Sequence, residues 1–169
     1  LSPSFLRTEL ENSLRRLKIG TIDLYQLHYP DRSTPIEDIM AELLAMKDEG
    51  KIRAIGMCNL NSARLERCRA IGEIVSAQQH YSMLDRRAGK DIRAWCVRNG
   101  ASLMAYSPME CGLLTCRYSP GHKFPRGDYR ATMPLFHSER IGRLEIVFNT
   151  LQKIAEDHGS TAAQVSLAW

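Results

Sequence analysis

The stretch Ile22–Pro30, with the sequence IDLYQLHYP, is the segment around which the fold is organised. It is an apolar run rich in β-forming residues that stops at a histidine and a proline, which predicts a buried strand over Ile22–Leu27 with His28 at its carboxyl end. In parallel α/β proteins the loops that leave this end of the strands converge on the site of chemistry. His28 is therefore the first functional candidate, although a lone histidine at a strand end is more often a hydrogen-bonded structural residue.

The composition of the chain excludes several classes of protein. Its 169 residues are 44% hydrophobic and 25% charged, as in a globular chain long enough to bury a sizeable core. The net charge of +4 comes from scattered arginines, which disfavours a nucleic-acid partner. An apolar segment of membrane-spanning length and a signal peptide are both missing from the sequence, so we expect a cytoplasmic protein with no membrane partner. The five cysteines have no regular spacing, which favours free thiols and makes a zinc site unlikely.

Four apolar runs alternate with helical patterns along the chain. We predict strands at Ile22–Leu27, Ile52–Met57, Ile74–Gln78 and Ser102–Tyr106, and strict alternation with helices indicates a parallel sheet with right-handed crossovers. An open doubly wound sheet and a TIM barrel both fit, but the absence of a glycine-rich phosphate loop after any strand weakens the first. A (β/α)8 barrel has eight strands in about 250 residues. We therefore expect one incomplete barrel domain over residues 1–169, about four parallel βα units.

Local signals place the helices and one long loop. Ser2–Pro3 predicts the start of a helix that ends near Gly20. Capping boxes are predicted at Thr34–Glu37 and Thr161–Gln164, and a single long helix over Ile141–Ala155. A helix from about Ser62 is expected to turn three side chains inward, Leu65, Cys68 and Ile71. The loop at about 110–137 is much longer than an ordinary connection, so we expect it to be functional.

Polar or aromatic residues follow each predicted strand. They are His28, Cys58–Asn59, Gln78 and Tyr106–Ser107. Any one of them is explained by its position beside a loop, but four in succession at one edge of a sheet indicate the rim of a single pocket. Asn and Gln amides suit a carboxamide, and a tyrosine offers a flat face for stacking. A nicotinamide ring presents both of these surfaces.

The residues of these segments, and the order in which the segments follow one another, resemble those of the aldo-keto reductase family over essentially the whole chain. The matching stretches are Leu14–Leu17, Ile22–Asp31, Thr34–Glu37, Glu49–Gly56, Gln78–Arg86, Ala105–Pro108 and Gly112–Leu114. The resemblance implies a (β/α)8 barrel, of which this chain supplies strands four to seven. It also implies NADPH, or less often NADH, as the cofactor and hydride transfer to a small aldehyde or ketone.

The resemblance assigns roles to individual residues. His28 resembles the histidine of the family's Asp-Tyr-Lys-His tetrad, which orients the substrate carbonyl, and Tyr29 beside it is assigned to the substrate. Asn59 and Gln78 are similar to the pair that binds the nicotinamide carboxamide, and Tyr106 to the ring that stacks under the nicotinamide.

Further positions match the cofactor surface or depart from the family's pattern. Ser107 and Met109 match positions near the cofactor pyrophosphate, although Met109 is equally well explained as a loop residue that packs on the core. Cys58 stands where the family usually has serine, so either a weaker hold on the carboxamide or a simple buried small residue is expected. His80 replaces the more usual glutamate, and we interpret it as a strand-end structural or substrate-side residue.

The tyrosine acid of the tetrad, with its lysine and aspartate, is expected upstream of Leu1, and the residues that hold the 2′-phosphate downstream of Trp169. Tyr25 and Tyr29 belong to the histidine's own motif and do not inherit the acid's role. Two functions follow: a fragment of an NADPH-dependent carbonyl reductase that is inactive alone, or a truncated, non-catalytic binding or scaffold subunit. An open half barrel predicts self-association or a complementing chain.

Overall fold

The structure is a computed structural model that describes residues 2–30 and 33–169. Its strands are β1 (Ile22–Leu27), β2 (Ile52–Cys58), β3 (Ser76–His80) and β4 (Ser102–Tyr106). Its α-helices are α1 (Pro3–Leu17), α2 (Ile36–Asp48), α3 (Ser62–Arg69), α4 (Asp91–Asn99), α5 (Ser138–Arg143), α6 (Glu145–Asp157) and α7 (Ala162–Ala168). Three short 3-10 helices lie at Glu110–Thr115, Tyr129–Thr132 and Pro134–Phe136. Across these described residues, no helix is long and apolar enough to cross a membrane.

The four strands form one sheet in which every neighbouring pair is parallel and the spatial order follows the chain, β1-β2-β3-β4. A doubly wound sheet reverses its strand order at a switch point, so this sequential order favours a barrel wall. The predicted bounds of β1 and β4 are confirmed. The predicted bounds of β3 are wrong by two residues, because the strand begins at Ser76 and continues to His80.

One face of the sheet packs against helices and forms the core. Leu27, Ile55, Met57 and Ala77 point to this side and are 0–4% exposed. They pack with side chains from α1 to α4, among them Leu10, Ile39, Met40, Leu43, Leu65 and Trp95. Each buried methylene group stabilises the fold by about 0.8 kcal/mol, so the apolar side chains on this face stabilise the packing of the sheet against the helices.

Several predicted helix ends are confirmed. The Ser2 hydroxyl accepts a hydrogen bond from the backbone N–H of Phe5 at 3.2 Å, with Pro3 in the first helical turn. The capping box of α7 is complete: Thr161 Oγ1 accepts from the Gln164 N–H (3.2 Å), and Gln164 Oε1 accepts from the Thr161 N–H (2.9 Å). Beyond α2, Gly50 adopts the expected left-handed backbone with φ of 73°.

The capping box predicted at Thr34–Glu37 is wrong. The N-cap of α2 is Pro35, which makes no side-chain capping bond. The Glu37 carboxylate instead accepts two hydrogen bonds from the Arg67 guanidinium, at 2.7 and 2.9 Å. A bidentate charge-assisted pair is stronger than a carboxylate's bond to a backbone N–H, and the same pair holds the pKa of Glu37 below its ordinary value.

Two other helix predictions are also wrong. Ile71 is 39% exposed because α3 ends at Arg69, and beyond that residue the helical period no longer decides which way a side chain points. The single long helix over Ile141–Ala155 is two helices, α5 and α6, that meet at Leu144. Gly142, a poor helix former, lies just before this break.

The chain divides into two compact units. The first holds the sheet and consists of the residues up to His80 with Arg87–Tyr106; the second consists of Tyr81–Arg86 with Ser107–Trp169. The second unit has its own core of Leu113, Phe136, Ile141, Leu144 and Phe148, beside a smaller cluster of Leu114, Leu151 and Ala162. The prediction of a single domain over residues 1–169 stays a prediction.

The predicted loop at about 110–137 belongs to the second unit and contains the three 3-10 helices. Its centre is an aromatic cluster of Tyr118, His122, Phe124 and Phe136, with ring centroids 4.7–5.4 Å apart. Arg130 donates to the Tyr118 hydroxyl at 2.7 Å and pairs with Asp128 at 2.6 Å. The hydrogen bonds from Arg130 hold the pKa of Asp128 down to about 2.

Candidate functional site

Asn59 is the centre of a hydrogen-bonded network at the carboxyl end of the sheet. It follows β2 directly, with a left-handed backbone of φ 59°, which asparagine tolerates better than most residues. Its Nδ2 donates to the backbone oxygen of His28 and to the Sγ of Cys58, both at 3.1 Å. Its Oδ1 accepts from the Tyr106 hydroxyl at 2.9 Å, and its backbone N–H donates to the Gln78 oxygen at 3.0 Å. Asn59 therefore contacts predicted site residues in β2, β3 and β4, and the one that follows β1.

His28 lies immediately after β1, as predicted, and its side chain is exposed. Its ring centroid is 4.6 Å from that of Tyr29, with the planes tilted by 55°. Tyr29 is 56% exposed. The two residues line a cavity of about 380 Å³ together with apolar side chains of α1, including Phe5 and Leu6. Asp31, the last residue of the matching stretch, lies outside the described residues.

Cys58 is buried at 2% exposure beside the amide of Asn59. Burial raises the pKa of its thiol, which therefore stays protonated at neutral pH. Its sulfur accepts the hydrogen bond from Asn59. Among the described residues, no group of three or more histidine, cysteine, aspartate or glutamate side chains is placed to hold a metal ion.

Gln78 lies within β3 rather than at its end, opposite Cys58 in β2 and Met104 in β4. Its Oε1 accepts a hydrogen bond from Nε2 of Gln26 in β1, at 3.3 Å. The sequence interpretation gave Gln26 no role. The alternation of side chains along a strand could have indicated a role. Gln26 is a polar residue in an apolar strand, and it lies on the same face as His28, two positions further on.

Tyr106 ends β4, and its ring is covered on one face by the last residue of β3. The ring of His80 stacks on it with centroids 5.3 Å apart and planes within 14°. The two residues are directly opposite in the parallel register of β3 and β4. His80 is therefore a strand-end residue that contacts a predicted cofactor-binding ring.

Ser107 and Met109 lie in the second unit, in the turn that opens the first 3-10 helix. Ser107 has a left-handed backbone with φ of 52°, and its oxygen accepts from the Glu110 N–H at 2.9 Å. The Met109 oxygen accepts from the N–H groups of Gly112 (3.0 Å) and Leu114 (3.2 Å). Both side chains are half-buried. Such backbone conformations cost energy in non-glycine residues and are concentrated at functional sites.

Comparison with known proteins identifies the family. A model of the aldo/keto reductase family matches residues 1–169. The chain belongs to this family. It is 34% identical over 170 residues to the aldo-keto reductase str7 of Strobilurus tenacellus, an alignment that covers 99% of this chain and 51% of that protein.

Solved structures of aldo-keto reductases have the same fold. The glycerol dehydrogenase AKR11B4 from Gluconobacter oxydans superposes with a TM-score of 0.94 at 32% identity, over 99% of this chain and 51% of that one. The thermostable aldo-keto reductase Tm1743, solved with the inhibitor epalrestat, gives 0.79 at 30% identity, over 100% and 52%. The chain spans about half the length of these relatives. The predicted partial (β/α)8 barrel is confirmed, and the family is one of oxidoreductases.

Proposed function

We propose that this chain supplies the nicotinamide-binding and substrate-orienting part of an NADPH-dependent aldo-keto reductase, which transfers a hydride to a small aldehyde or ketone. The observation that carries the proposal is the Asn59 network, since it joins side chains or backbone groups of β2, β3 and β4 and of the residue that follows β1. Three of these residues, Asn59, Gln78 and Tyr106, are the ones that resemble the family's nicotinamide-binding residues.

The hydrogen-bonding capacity of the two amides fits a carboxamide. Both protons of Asn59 Nδ2 are used on His28 and Cys58, but its Oδ1 has a second lone pair beyond the bond from Tyr106. The Nε2 protons of Gln78 are not used by its bond to Gln26, which is made through Oε1. One acceptor and one donor group therefore complement the NH2 and the C=O of a nicotinamide carboxamide.

Aromatic and loop residues are also assigned to the cofactor. Because His80 covers one face of Tyr106, a nicotinamide would have to stack on the opposite face. Cys58 accepts a hydrogen bond from the Asn59 amide and so helps to hold it in place. It offers no ionised group, since burial keeps its thiol protonated. We assign Ser107 and Met109 to the pyrophosphate on the strength of the family resemblance, with backbone N–H groups as the donors.

The reduced nicotinamide, when bound, supplies the hydride that reaches the carbonyl carbon. His28 donates a hydrogen bond from its exposed ring to the carbonyl oxygen and orients it, with Tyr29 beside the substrate. Tyr25 is a poor candidate for the proton donor, because burial and the nearby Glu9 raise its pKa above the ordinary value. On the strength of the family resemblance, we assign the proton donor to the tyrosine of the tetrad and place it, with its lysine and aspartate, in the remaining half of the barrel.

A second candidate function is a catalytically inactive binding or scaffold subunit. The sheet favours it, because β1 and β4 are its two edge strands and an unpaired strand edge is a surface that another chain can bind. In either case we propose that a second copy or a complementing chain covers the open half barrel, whose edge strands are β1 and β4.

Binding of NADPH to the 169-residue chain tests the proposal. We expect saturable quenching of tryptophan fluorescence by NADPH in a sample shown to be folded by circular dichroism. Gln78→Met should weaken binding at least tenfold, because it removes one of the two amides that hold the carboxamide. Gln79→Met is the matched control. Gln79 points to the opposite face and donates to the Leu60 oxygen at 2.7 Å, so its loss should lower stability and leave NADPH affinity unchanged.

The same samples separate the two functions when they are assayed for carbonyl reduction. Binding with turnover by the chain alone would support a reductase but contradict the placement of its proton donor outside these residues. Binding without turnover, restored by adding the remaining half of an aldo-keto reductase barrel, supports a fragment of one, while binding that no added half converts to turnover supports the non-catalytic subunit. If folded protein shows no saturable binding of NADPH or NADH, the proposed function is wrong.

A further inference from the structure

Gln26 forms a side-chain connection across the sheet that the family resemblance does not assign. It lies in β1 opposite Gly56 of β2, and Gly56 in turn lies opposite Ser76 of β3. The Ser76 hydroxyl donates to Gln26 Oε1 at 3.2 Å, and Gln26 Nε2 donates to Gln78 Oε1 at 3.3 Å. The half-buried side chain of Gln26 thus links two residues of a strand that is not its neighbour.

Gly56 makes this connection possible. A Cβ atom at this position would lie 2.5 Å from Ser76 Oγ, 2.7 Å from Gln26 Cγ and 2.8 Å from Gln26 Oε1, so these two side chains would have to move away from their present positions. Its φ is not among the positive values found elsewhere in the chain, so the glycine is needed for space and not for backbone conformation. Because Gly56 has no side chain, the side chain of Gln26 can extend across β2 and reach β3.

The two bonds use both ends of the Gln26 amide. Its oxygen accepts from Ser76 and its nitrogen donates to Gln78, so its orientation is determined from both sides. Gln78 is thereby held at Oε1, while its two Nε2 protons and a second Oε1 lone pair are available to a ligand. A glutamine side chain loses much rotamer freedom when it binds, and fixing it beforehand removes part of that cost.

We propose that Gln26 is a positioning residue for the nicotinamide carboxamide, acting by fixing the side-chain amide of Gln78 before the cofactor binds. The proposal rests on the function proposed above, in which Gln78 binds that carboxamide. In this arrangement the three residues act together. Gly56 leaves the space, Gln26 extends across β2, and Ser76 sets the orientation of the Gln26 amide.

A double-mutant cycle tests the role in binding. Gln26→Met keeps the volume and removes the donor, and should raise the dissociation constant for NADPH about three- to tenfold, the cost of ordering one side chain. Gln78→Met should raise it at least as much. The double variant should equal Gln78→Met alone, because without Gln78 nothing remains for Gln26 to position. Additive effects, or wild-type affinity in Gln26→Met, would overturn the proposal.

A second measurement separates this proposal from the proposed function. In cofactor-free protein, 15N relaxation of the side-chain NH2 groups should show Gln78 ordered in the wild type and mobile in Gln26→Met. Gln79, bonded to the Leu60 oxygen, should be equally ordered in both and is the internal control. A Gln78 amide that stays ordered in the variant overturns the positioning role whether or not NADPH binds.

The remaining outcome is equally decisive. If the wild type binds no NADPH, the proposed function fails and with it the carboxamide as the ligand of Gln78. Mobilisation of Gln78 in Gln26→Met would then still show that Gln26 fixes this amide, so the two failures are distinguishable.

Discussion

The two faces of the sheet in the first unit are built from alternate residues of the same strands, yet they are stabilised differently. On the helix-covered face, Ile55 and Met57 are completely buried among apolar side chains. On the opposite face, Gln26 and Gln78 are only partly buried and are held by hydrogen bonds to polar neighbours. Burying an aliphatic side chain contributes about 1.5–3 kcal/mol, against about 1 kcal/mol for a typical hydrogen bond. Stability and ligand binding are therefore separable at adjacent positions in one strand.

The largest expected effect comes from the helix-covered face. Ile55→Ala should lower the free energy of unfolding by about 2–5 kcal/mol, because it leaves a cavity in a core where this side chain is 0% exposed. Urea denaturation measures the change. Leu24→Ala is the matched control on the opposite face, where the side chain is only half-buried, and it should cost clearly less. Equal losses would remove the distinction between the faces.

High pH should also weaken the helix-covered side. Cys68 on α3 is completely buried, and burial raises the pKa of its thiol from 9.0 to about 11. The folded state therefore holds this proton more tightly than the unfolded chain does. Its contribution to stability is complete below about pH 9 and is lost as the pH rises to about 11, an expected loss of ~2 kcal/mol. Urea midpoints from pH 8 to 11 should fall less steeply in Cys68→Ala, and parallel curves would contradict this assignment.

A substitution at Gly56 is expected to make the polar face sensitive as well. Gly56→Ala should cost about 1–3 kcal/mol, since the new methyl group collides with Ser76 and Gln26. Thermal unfolding measures the loss. The control is Gly20→Ala, because a Cβ atom at Gly20 would have nothing within 4 Å, and this variant should be as stable as the wild type or slightly more so. If Gly20→Ala lost as much stability as Gly56→Ala, the loss at Gly56 would not be explained by the collision with Ser76 and Gln26.

The network at the strand ends should tolerate the loss of one bond. Tyr106→Phe removes the hydroxyl that donates to Asn59 at 2.9 Å but keeps the ring that stacks on His80, and should cost about 0.5–1.5 kcal/mol. Denaturant unfolding, with Tyr29→Phe as the control, measures this difference. Tyr29 is 56% exposed, so its hydroxyl should contribute nothing measurable. An unchanged stability in Tyr106→Phe would show that the Asn59 oxygen is equally well satisfied without it.

The smallest expected effect is a change in NADPH affinity, which should occur on the polar face and not on the helix-covered face. Cys58→Ser restores the residue that is usual in the family and should lower the dissociation constant for NADPH about two- to fivefold. A hydroxyl oxygen accepts the bond from the Asn59 amide better than a thiol sulfur does, and a hydroxyl is also the better donor to a ligand. Cys96→Ser makes the same change on the buried helix side and should reduce stability without changing affinity. Fluorescence titration of both variants measures the contrast. A weaker affinity in Cys58→Ser would favour the interpretation of Cys58 as a buried packing residue.

The fold was predictable from the sequence where local signals agree, and less so where distant residues decide. β1 and β4 have the predicted bounds because each apolar run ends at turn-forming residues. The predicted bounds of β3 were wrong because the strand continues through the polar residues Gln78, Gln79 and His80. Their backbone is paired with β4, and at Gln78 also with β2.

The site shows the same limit. Its strand-end residues could be listed from the sequence, since each stands at the end of an apolar run or beside one. Gln26 could not be found in that way, because its partners Ser76 and Gln78 lie 50 and 52 residues further along the chain. Glu37 was assigned to a local cap for a related reason: Arg67, which binds its carboxylate, is 30 residues away.

Asn59 has a consequence for how this sequence can change over time. Its backbone lies in the left-handed region, which glycine, asparagine and aspartate adopt most readily. Its side chain must also donate to His28 and accept from Tyr106, and of these three residues only asparagine has both an amide donor and a carbonyl acceptor. Single substitutions at position 59 should therefore be selected against. Each would disfavour the left-handed backbone of the turn or remove hydrogen bonds of the network.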